Sequence, residues 1–551
     1  MKGGKMSKIK IYALGGLNEH GKNMYVVDVD NDLFVFDSGL KYADDDTLGI
    51  DYMIPNYDYL KDHENQIKGI FLTHGQDEQI GAIPDMLLDL KKVKVYGTKF
   101  TLDVLKMELD DVHIPYDNLV EIKPHKKIMF GKCGIFPIQV SHSVPDAVGY
   151  VLYTPDGAIF YTGNFLFDST MLGSYKTDIG KLAYVGKQGV LCLLCESLYA
   201  DKPGYTSPNH RLKPMLEEAV GNAEHRIICN MFSNQVYRMQ EVFDVVSSTN
   251  RNVVIMSKRL YNIVMNAIDN KYINFDKNRI VPLKYVNDDN IFVITSDERE
   301  KAFSSLNRIA RGYDKFTSIK NTDTIIFVSP VYDESEKTAT RLFDRLARLG
   351  ANLVIPPKNY IDLHASSEDI MTMINLMNPK YYMPTIGEYR HMVANKEDAL
   401  RAGMKEENVI LRLNGQVTEF DNGNLVESKE LINNGDISID GKTIGDIGEL
   451  VIKDREALSD NGVVIVIATL DHMTKKLVGG PEVITKGFMY SKEANIIPES
   501  INIAKTVIED NNKTGYVQFN KVRTEVRDKL GNYLFKETEC RPMILVVLQE
   551  V

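Results

Sequence analysis

Cysteine is scarce in this chain: five in 551 residues, scattered and odd in number. That argues against a disulfide framework and for a reducing compartment, so a cytoplasmic protein is expected. Cys192 and Cys195 form a C-x-x-C, but they lie inside the apolar run 190–195 with no second pair elsewhere. They read as packing residues, not as a zinc or redox pair. No run of about 18 apolar residues occurs, so no membrane span is expected. Residues 1–6 are basic but lead straight into a strand-like run at 8–14, without the apolar core of a signal peptide. There is no excess of positive charge either, with 65 Lys and Arg against 76 Asp and Glu and a net charge of -11. Bulk charge therefore gives no nucleic-acid signature, although local basic patches can still bind phosphates. Lys91/Lys92/Lys94, Lys123 with Lys126/Lys127, and Arg341/Arg345/Arg348 are such patches, each read first as a solvated face. Internal repeats and low-complexity tracts are absent.

What is present is length for roughly two to four domains and an ordinary globular composition. The first two hundred residues are strand-rich, with turns at 18–21, 30–32 and 155–157. From about residue 210 to 360 strands and helices alternate: apolar runs at 226–232, 252–256 and 324–328, helical periodicity at 235–246, 260–268 and 337–349. This pattern predicts a parallel α/β insert. Strands return at 351–356 and 380–385, and 408–426 reads as short strands separated by Gly415 and Gly423. Gly435, Gly441, Gly445 and Gly448 mark a linker. Beyond it, strands at 463–469 and 543–548 flank a helix at 498–510, a small α/β module.

Chemistry concentrates where apolar strands end. His74, His142, Asn164, Glu196 and the Ile386-Gly387-Glu388 turn each follow such a strand, and converging loops at one end of a layered sheet are where α/β proteins place their sites. The loop after the strand at 67–72 has the frame His-x-His-x-Asp-His, which would give three imidazoles and a carboxylate to a metal pair. Here it reads His74-Gly75-Gln76-Asp77-Glu78-Gln79. Glutamine offers only a neutral amide oxygen in place of imidazole.

Taken together, Asp37-Ser38-Gly39, the run 48–55, the loop 73–84, Ser141-His142-Ser143, Thr162-Gly163-Asn164, Glu196-Ser197, His364-Ala365-Ser366 and Gly387-Glu388-Tyr389-Arg390 resemble the metallo-β-lactamase superfamily in its β-CASP branch, and specifically the ribonuclease J family. The resemblance spans nearly the whole chain. It implies an α/β fold: an αββα metallo-β-lactamase sandwich formed by residues 1–209 and 356–432, a parallel α/β β-CASP insert at 210–355, a linker at 433–462 and a small α/β oligomerisation domain at 463–551.

In active members seven side chains hold two zinc or manganese ions that activate water against a phosphodiester. By position His74 and His142 are kept, Glu78 stands for an aspartate, and Gln76, Gln79, Asn164 and Ile386 stand where the family has His, His, Asp and His. The resemblance implies a site that holds no metal tightly, or at most one weakly bound manganese on His74, His142 and Glu78. Glu196 and His364 keep positions that assist proton transfer. Ser233, Asn234, Tyr360 and His364 occupy RNA-contacting positions, with Asp362 adding a repelling charge. The implied role is in RNA decay and in ribosomal and messenger RNA maturation, where family members act as 5′-3′ exoribonucleases and endoribonucleases. This chain would serve mainly as partner or scaffold of an active paralogue, as a homodimer or heterotetramer and without a membrane. The alternatives are a weak manganese-dependent exoribonuclease and a purely structural subunit without RNA contact.

Overall fold

The computed structural model describes residues 7–42, 50–297, 303–331, 335–357, 359–440, 443–445, 449–489, 495–512 and 518–551. The chain divides into two compact units, one of residues 1–42 and 52–437, the other of residues 43–51 and 438–551.

In the first unit, short strands dense in aromatic and β-branched residues form two sheets. Lys8–Gly15, Met24–Val29 and Asp32–Phe36 pair antiparallel, with Ile9 opposite Val29 and Tyr25 opposite Phe36. Ile67–Phe71, Val95–Gly97 and Leu119–Glu121 extend them in parallel, and Thr418–Asp421 and Asn424–Val426 complete eight strands on the other edge. The second sheet has six strands. Ile128–Phe130, Cys133–Gln139, Val148–Thr154 and Gly157–Tyr161 run antiparallel, and Val190–Glu196 and Tyr381–Thr385 add in parallel. One apolar cluster joins the sheets, with Val27, Phe34 and Phe71 from the first and Ile135, Leu152, Ile159 and Leu194 from the second. Each such side chain contributes about 1.5–3 kcal/mol by leaving water. Helices Ser367–Met377 and Tyr389–Arg401 pack on the second sheet. Cys192 and Cys195 are buried free thiols, pushed well above their usual range by burial.

The insert is an all-parallel sheet in the order Asn252–Ile255, Ile291–Asp297, Ile227–Phe232, Thr324–Phe327, Asn352–Val354. Its helices include Val236–Ser247, Lys258–Asp269 and Glu336–Arg348. Ser257 starts the second of these by accepting the Leu260 N–H at 3.2 Å. Strand Ile291–Asp297 lies beside the sheet's centre and was not among the expected strands, because its apolar residues are only four before the polar run resumes.

The second unit carries a three-stranded sheet in the order Leu477–Lys486, Val463–Leu470, Met543–Glu550, with helices Ile496–Asn511 and Phe519–Thr538. Strand Leu477–Lys486 and the second helix were not expected. The strand is interrupted by Gly479-Gly480-Pro481, whereas the helix shows its buried stripe plainly at Val522, Val526, Leu530 and Leu534. The stretch read as a linker contains strand Asp436–Asp440 and helix Glu449–Asn461. Gly441 and Gly448, like Leu48 and Gly49 of the run quoted above, lie outside the described residues. Among the described residues no helix is long and apolar enough to cross a membrane.

Candidate functional site

The loop after Ile67–Phe71 is held from below. Thr73 N–H donates to Asp37 Oδ1 at 2.7 Å, and the Tyr161 hydroxyl donates to Asp37 Oδ2 at 2.9 Å. Burial pushes the Asp37 carboxyl up to about 7 against these hydrogen bonds. Residues 38–40 then zip to the loop: Ser38 N–H donates to the Gln79 carbonyl at 2.7 Å and Leu40 N–H to the Asp77 carbonyl at 2.9 Å. Gly39 sits against the Glu78 backbone so closely that a Cβ there would lie 1.7 Å from the Glu78 carbonyl oxygen. The sequence motif had shown Asp37-Ser38-Gly39 without this role.

On that base, Gln76 stands between the two histidines. Its Oε1 lies 2.9 Å from His74 Nε2 and 2.8 Å from His142 Nε2, and its Nε2 lies 3.1 Å from Ser143 Oγ. His142 Nδ1 is 2.8 Å from the Leu363 carbonyl, which accepts only an N–H. Burial lowers His74 to about 4 and His142 well below its ordinary value, so both rings are neutral near pH 7. A neutral His142 that donates through Nδ1 presents a lone pair at Nε2, and an amide oxygen cannot satisfy it. The amide turned end for end satisfies every group: its two N–H bonds go to the two imidazoles and its oxygen accepts from the Ser143 hydroxyl. His74 then donates through Nδ1 to Thr73 Oγ1, 3.0 Å away. Gln76 thus bridges His74 and His142.

The other replaced positions form a second chain. Gln79 Nε2 donates to Asn164 Oδ1 at 3.1 Å, and Asn164 Nδ2 lies 2.9 Å from His364 Nδ1. His364 Nδ1 is 3.1 Å from Glu196 Oε2. Glu196 is fully buried, and its Oε1 accepts the N–H groups of Phe165 at 2.6 Å and Ala365 at 3.2 Å. Burial pushes the Glu196 carboxyl above its ordinary range, and the His364 hydrogen bond opposes the rise.

Ile386 sits at φ 52°, in the left-handed region that a β-branched side chain avoids. It is held there by donating its N–H to the Tyr25 hydroxyl at 2.9 Å and accepting from Ser197 N–H at 3.0 Å. Glu78 does not join His74 and His142: its Oε1 is 3.7 Å from His20 Nε2. His20 sat within a turn and was not singled out from the sequence. Among the described residues no group of three or more His, Cys, Asp and Glu could hold a metal ion. The donor set present, two imidazoles bonded to an amide, does not fit a zinc or manganese pair.

Gln76, Gln79, His142, Asn164, His364 and Ile386 line a polar hollow of about 40 Å³ with Asn23, Asn234, Gln235 and Asp362, room enough for water and little else, and His74 and Glu196 stand behind this lining. Gln79 Oε1, buried in it, has no hydrogen-bond partner among the described residues. Asn234 reaches the hollow and Ser233 is buried beneath it; the adjoining helix is capped at Gln235, so neither is its N-cap. Asp362 is not the open repelling charge expected. It accepts from Gln235 Nε2 at 3.0 Å and from the Tyr360 hydroxyl at 3.3 Å, and that hydroxyl accepts from the buried Arg238 at 2.9 Å. Tyr360 and His364 also line a roomier cleft of about 450 Å³ next to the hollow, with Tyr199, Lys202 and Arg390. The Lys258–Asp269 helix clasps the motif loop, since Arg259 binds both oxygens of Asp77.

Comparison with known proteins agrees with this geometry. Residues 51–177 match the beta-lactamase superfamily domain, 224–346 the ribonuclease J beta-CASP domain and 450–551 the ribonuclease J C-terminal domain. Ribonuclease J2 of Bacillus subtilis is 35% identical over 557 residues, covering 100% of both chains. Ribonuclease J 2 of Staphylococcus aureus (strain NCTC 8325 / PS 47) is 31% identical, covering 99% of each. A crystal structure of a protein of unknown function from Enterococcus faecalis V583 shares the fold at a TM-score of 0.53 and 13% identity, over 75% of this chain and 100% of that one.

Proposed function

The chain belongs to the ribonuclease J family, and on that premise we propose that it works in RNA decay and maturation as a partner or scaffold subunit with a degenerate metal site. The observation that carries this reading is the Gln76 amide hydrogen-bonded to both His74 and His142, where an active member needs an ion. Replacing several ligands costs far more than the roughly 10–100-fold that follows loss of one supporting partner. Elemental analysis of protein purified without chelator tests it: about two tightly held metal ions per chain, the family's complement, would overturn it.

A second reading has one observation in its favour, the retained Glu196–His364 pair at 3.1 Å. Under it the chain is a weak manganese-dependent 5′-3′ exoribonuclease. Decay of 5′-monophosphorylated RNA with and without excess manganese separates the two. Activity lost in a His74→Ala/His142→Ala double variant supports the enzyme; activity unchanged in it points to contamination.

The partner role has support in the second unit. Ile484, Ile465 and Leu545 form one cross-strand row, and Ile484 and Leu545 are 37% and 46% exposed. An outward apolar row suits contact with another chain. Light scattering on a Leu545→Glu/Val547→Glu variant is expected to show a smaller assembly than the parent.

A further inference from the structure

Two loops precede the two strands that flank Ile227–Phe232 in the insert's parallel sheet. Residues 283–290 lead into Ile291–Asp297, and residues 311–323 lead into Thr324–Phe327. The candidate site lies past the other end of the same sheet, after Ile227–Phe232, so a six-residue strand of about 20 Å separates the two. The loops are welded together by one buried guanidinium. Arg226, with no exposed surface, donates to Asp323 Oδ1 at 2.9 Å, to the Val286 carbonyl at 3.0 Å, to Thr317 Oγ1 at 2.7 Å and to the Ser318 carbonyl at 2.7 Å. Asn287 Nδ2 adds a bond to the Phe316 carbonyl at 2.8 Å.

The second loop is fixed internally as well. Gly312 at φ 74° ends helix Ser304–Ala310, Tyr313 N–H returns to the Arg308 carbonyl at 3.0 Å, and Asp314 Oδ1 accepts from Phe316 N–H at 2.9 Å. On this rigid base stand three aromatic side chains in water: Tyr313 is 74% exposed, Phe316 55% and Tyr285 38%. The aliphatic neighbour Val286 is buried, so the exposed surface is aromatic and not aliphatic.

Charge around the rings favours an anion. Asp314 is engaged by Arg308 and Asp289 by His225. Among the described residues Lys284, Arg311 and Lys315 have no carboxylate partner, three cations against the two acids that remain, Asp288 and the histidine-bound Asp289. Rigid aromatic faces interleaved with cations are the chemistry that stacks bases and neutralises their phosphates.

We propose that these two loops form a stacking surface for single-stranded RNA, separate from the cleft and at the opposite end of the insert. The surface shares only its ligand class with the proposed function. A strand held here and in the cleft would span the insert's sheet.

The test is fluorescence anisotropy of a labelled oligouridylate on the full chain. The Tyr313→Ala/Phe316→Ala variant is expected to bind about tenfold more weakly or worse, while Tyr313→Phe binds as the parent does. Lys284→Gln/Lys315→Gln should flatten the dependence on salt. A Ser233→Ala/Asn234→Ala variant separates the two readings. Loss there with the aromatic variant unchanged overturns this proposal and leaves RNA in the cleft. Loss only in the aromatic variant upholds the loops and removes the cleft contact, and loss in both upholds both. No binding by the parent chain overturns the surface outright. Unchanged RNA binding with lost self-association in the aromatic variant would make the loops a protein interface, which also overturns it.

Discussion

The two halves of the hollow are built in different ways. Around Gln76, two neutral histidines, a serine and an amide satisfy one another with no net charge. Around Glu196, an ionisable carboxylate stays buried, held by two backbone N–H groups and His364. The first half is chemically closed, because nothing in it lacks a partner that a ligand could supply. The second keeps an ionisable carboxyl in the core and surrounds it with donors. The contrast sets a half closed on itself beside a half that keeps an acid–base pair.

The largest expected effect falls on the charged half. Glu196→Ala leaves two buried N–H groups and a histidine without an acceptor, and should lower unfolding free energy by about 3 kcal/mol or more in urea titration. A change below 1 kcal/mol would erase the contrast.

Next comes pH. The unfolded His74 ring takes up a proton near its ordinary value of 6.5, the folded ring only at about 4. The unfolded state binds more protons in that window, so the His74 contribution is present above pH 6.5 and fades as pH falls towards 4, by about 3 kcal/mol. Asp37 acts in the opposite sense. Its folded carboxyl protonates at about 7 and its unfolded one near 3.8, so its contribution is present below 3.8 and is lost as pH rises through 7. The two offset, and Asp37→Asn should uncover a steeper acid loss between pH 6.5 and 4. Equal slopes in variant and parent would mean that Asp37 titrates alike in the folded and unfolded chain and offsets nothing.

Gln76→Ala is expected to cost about 2 kcal/mol, less than Glu196→Ala, because it removes neutral hydrogen bonds only. Histidine ring NMR would show both Nε2 signals altered. If the rings are unmoved, the amide does not bridge them.

The smallest effect isolates backbone strain. At φ 52° glycine should be more stable than alanine by about 1 kcal/mol, so Ile386→Gly should exceed Ile386→Ala, the reverse of the usual order.

The sandwich and the insert were legible because they rest on apolar periodicity and on spaced motifs. The way Gln76 is used was not, since an amide's partners come from loops 66 and 67 positions away, at His142 and Ser143. Neither was the strain at Ile386: identity at a position says nothing about the sign of φ. The setting of Asp362 was not legible for a related reason, because its partner Gln235 lies 127 positions away in sequence. The helix Phe519–Thr538 carries its signal in the four-residue spacing of Val522, Val526, Leu530 and Leu534, diluted by the polar residues between them.

The contact at Gly39 carries one more consequence. The path of the motif loop is dictated by main-chain bonds from residues 38–40 and by the absence of a side chain at Gly39, and none of the side chains at 76, 78 or 79 contributes to those bonds. The loop is therefore a socket whose shape is independent of what is plugged into it. Substitutions there could accumulate without disturbing the socket, and reintroducing ligands would meet a backbone already in place.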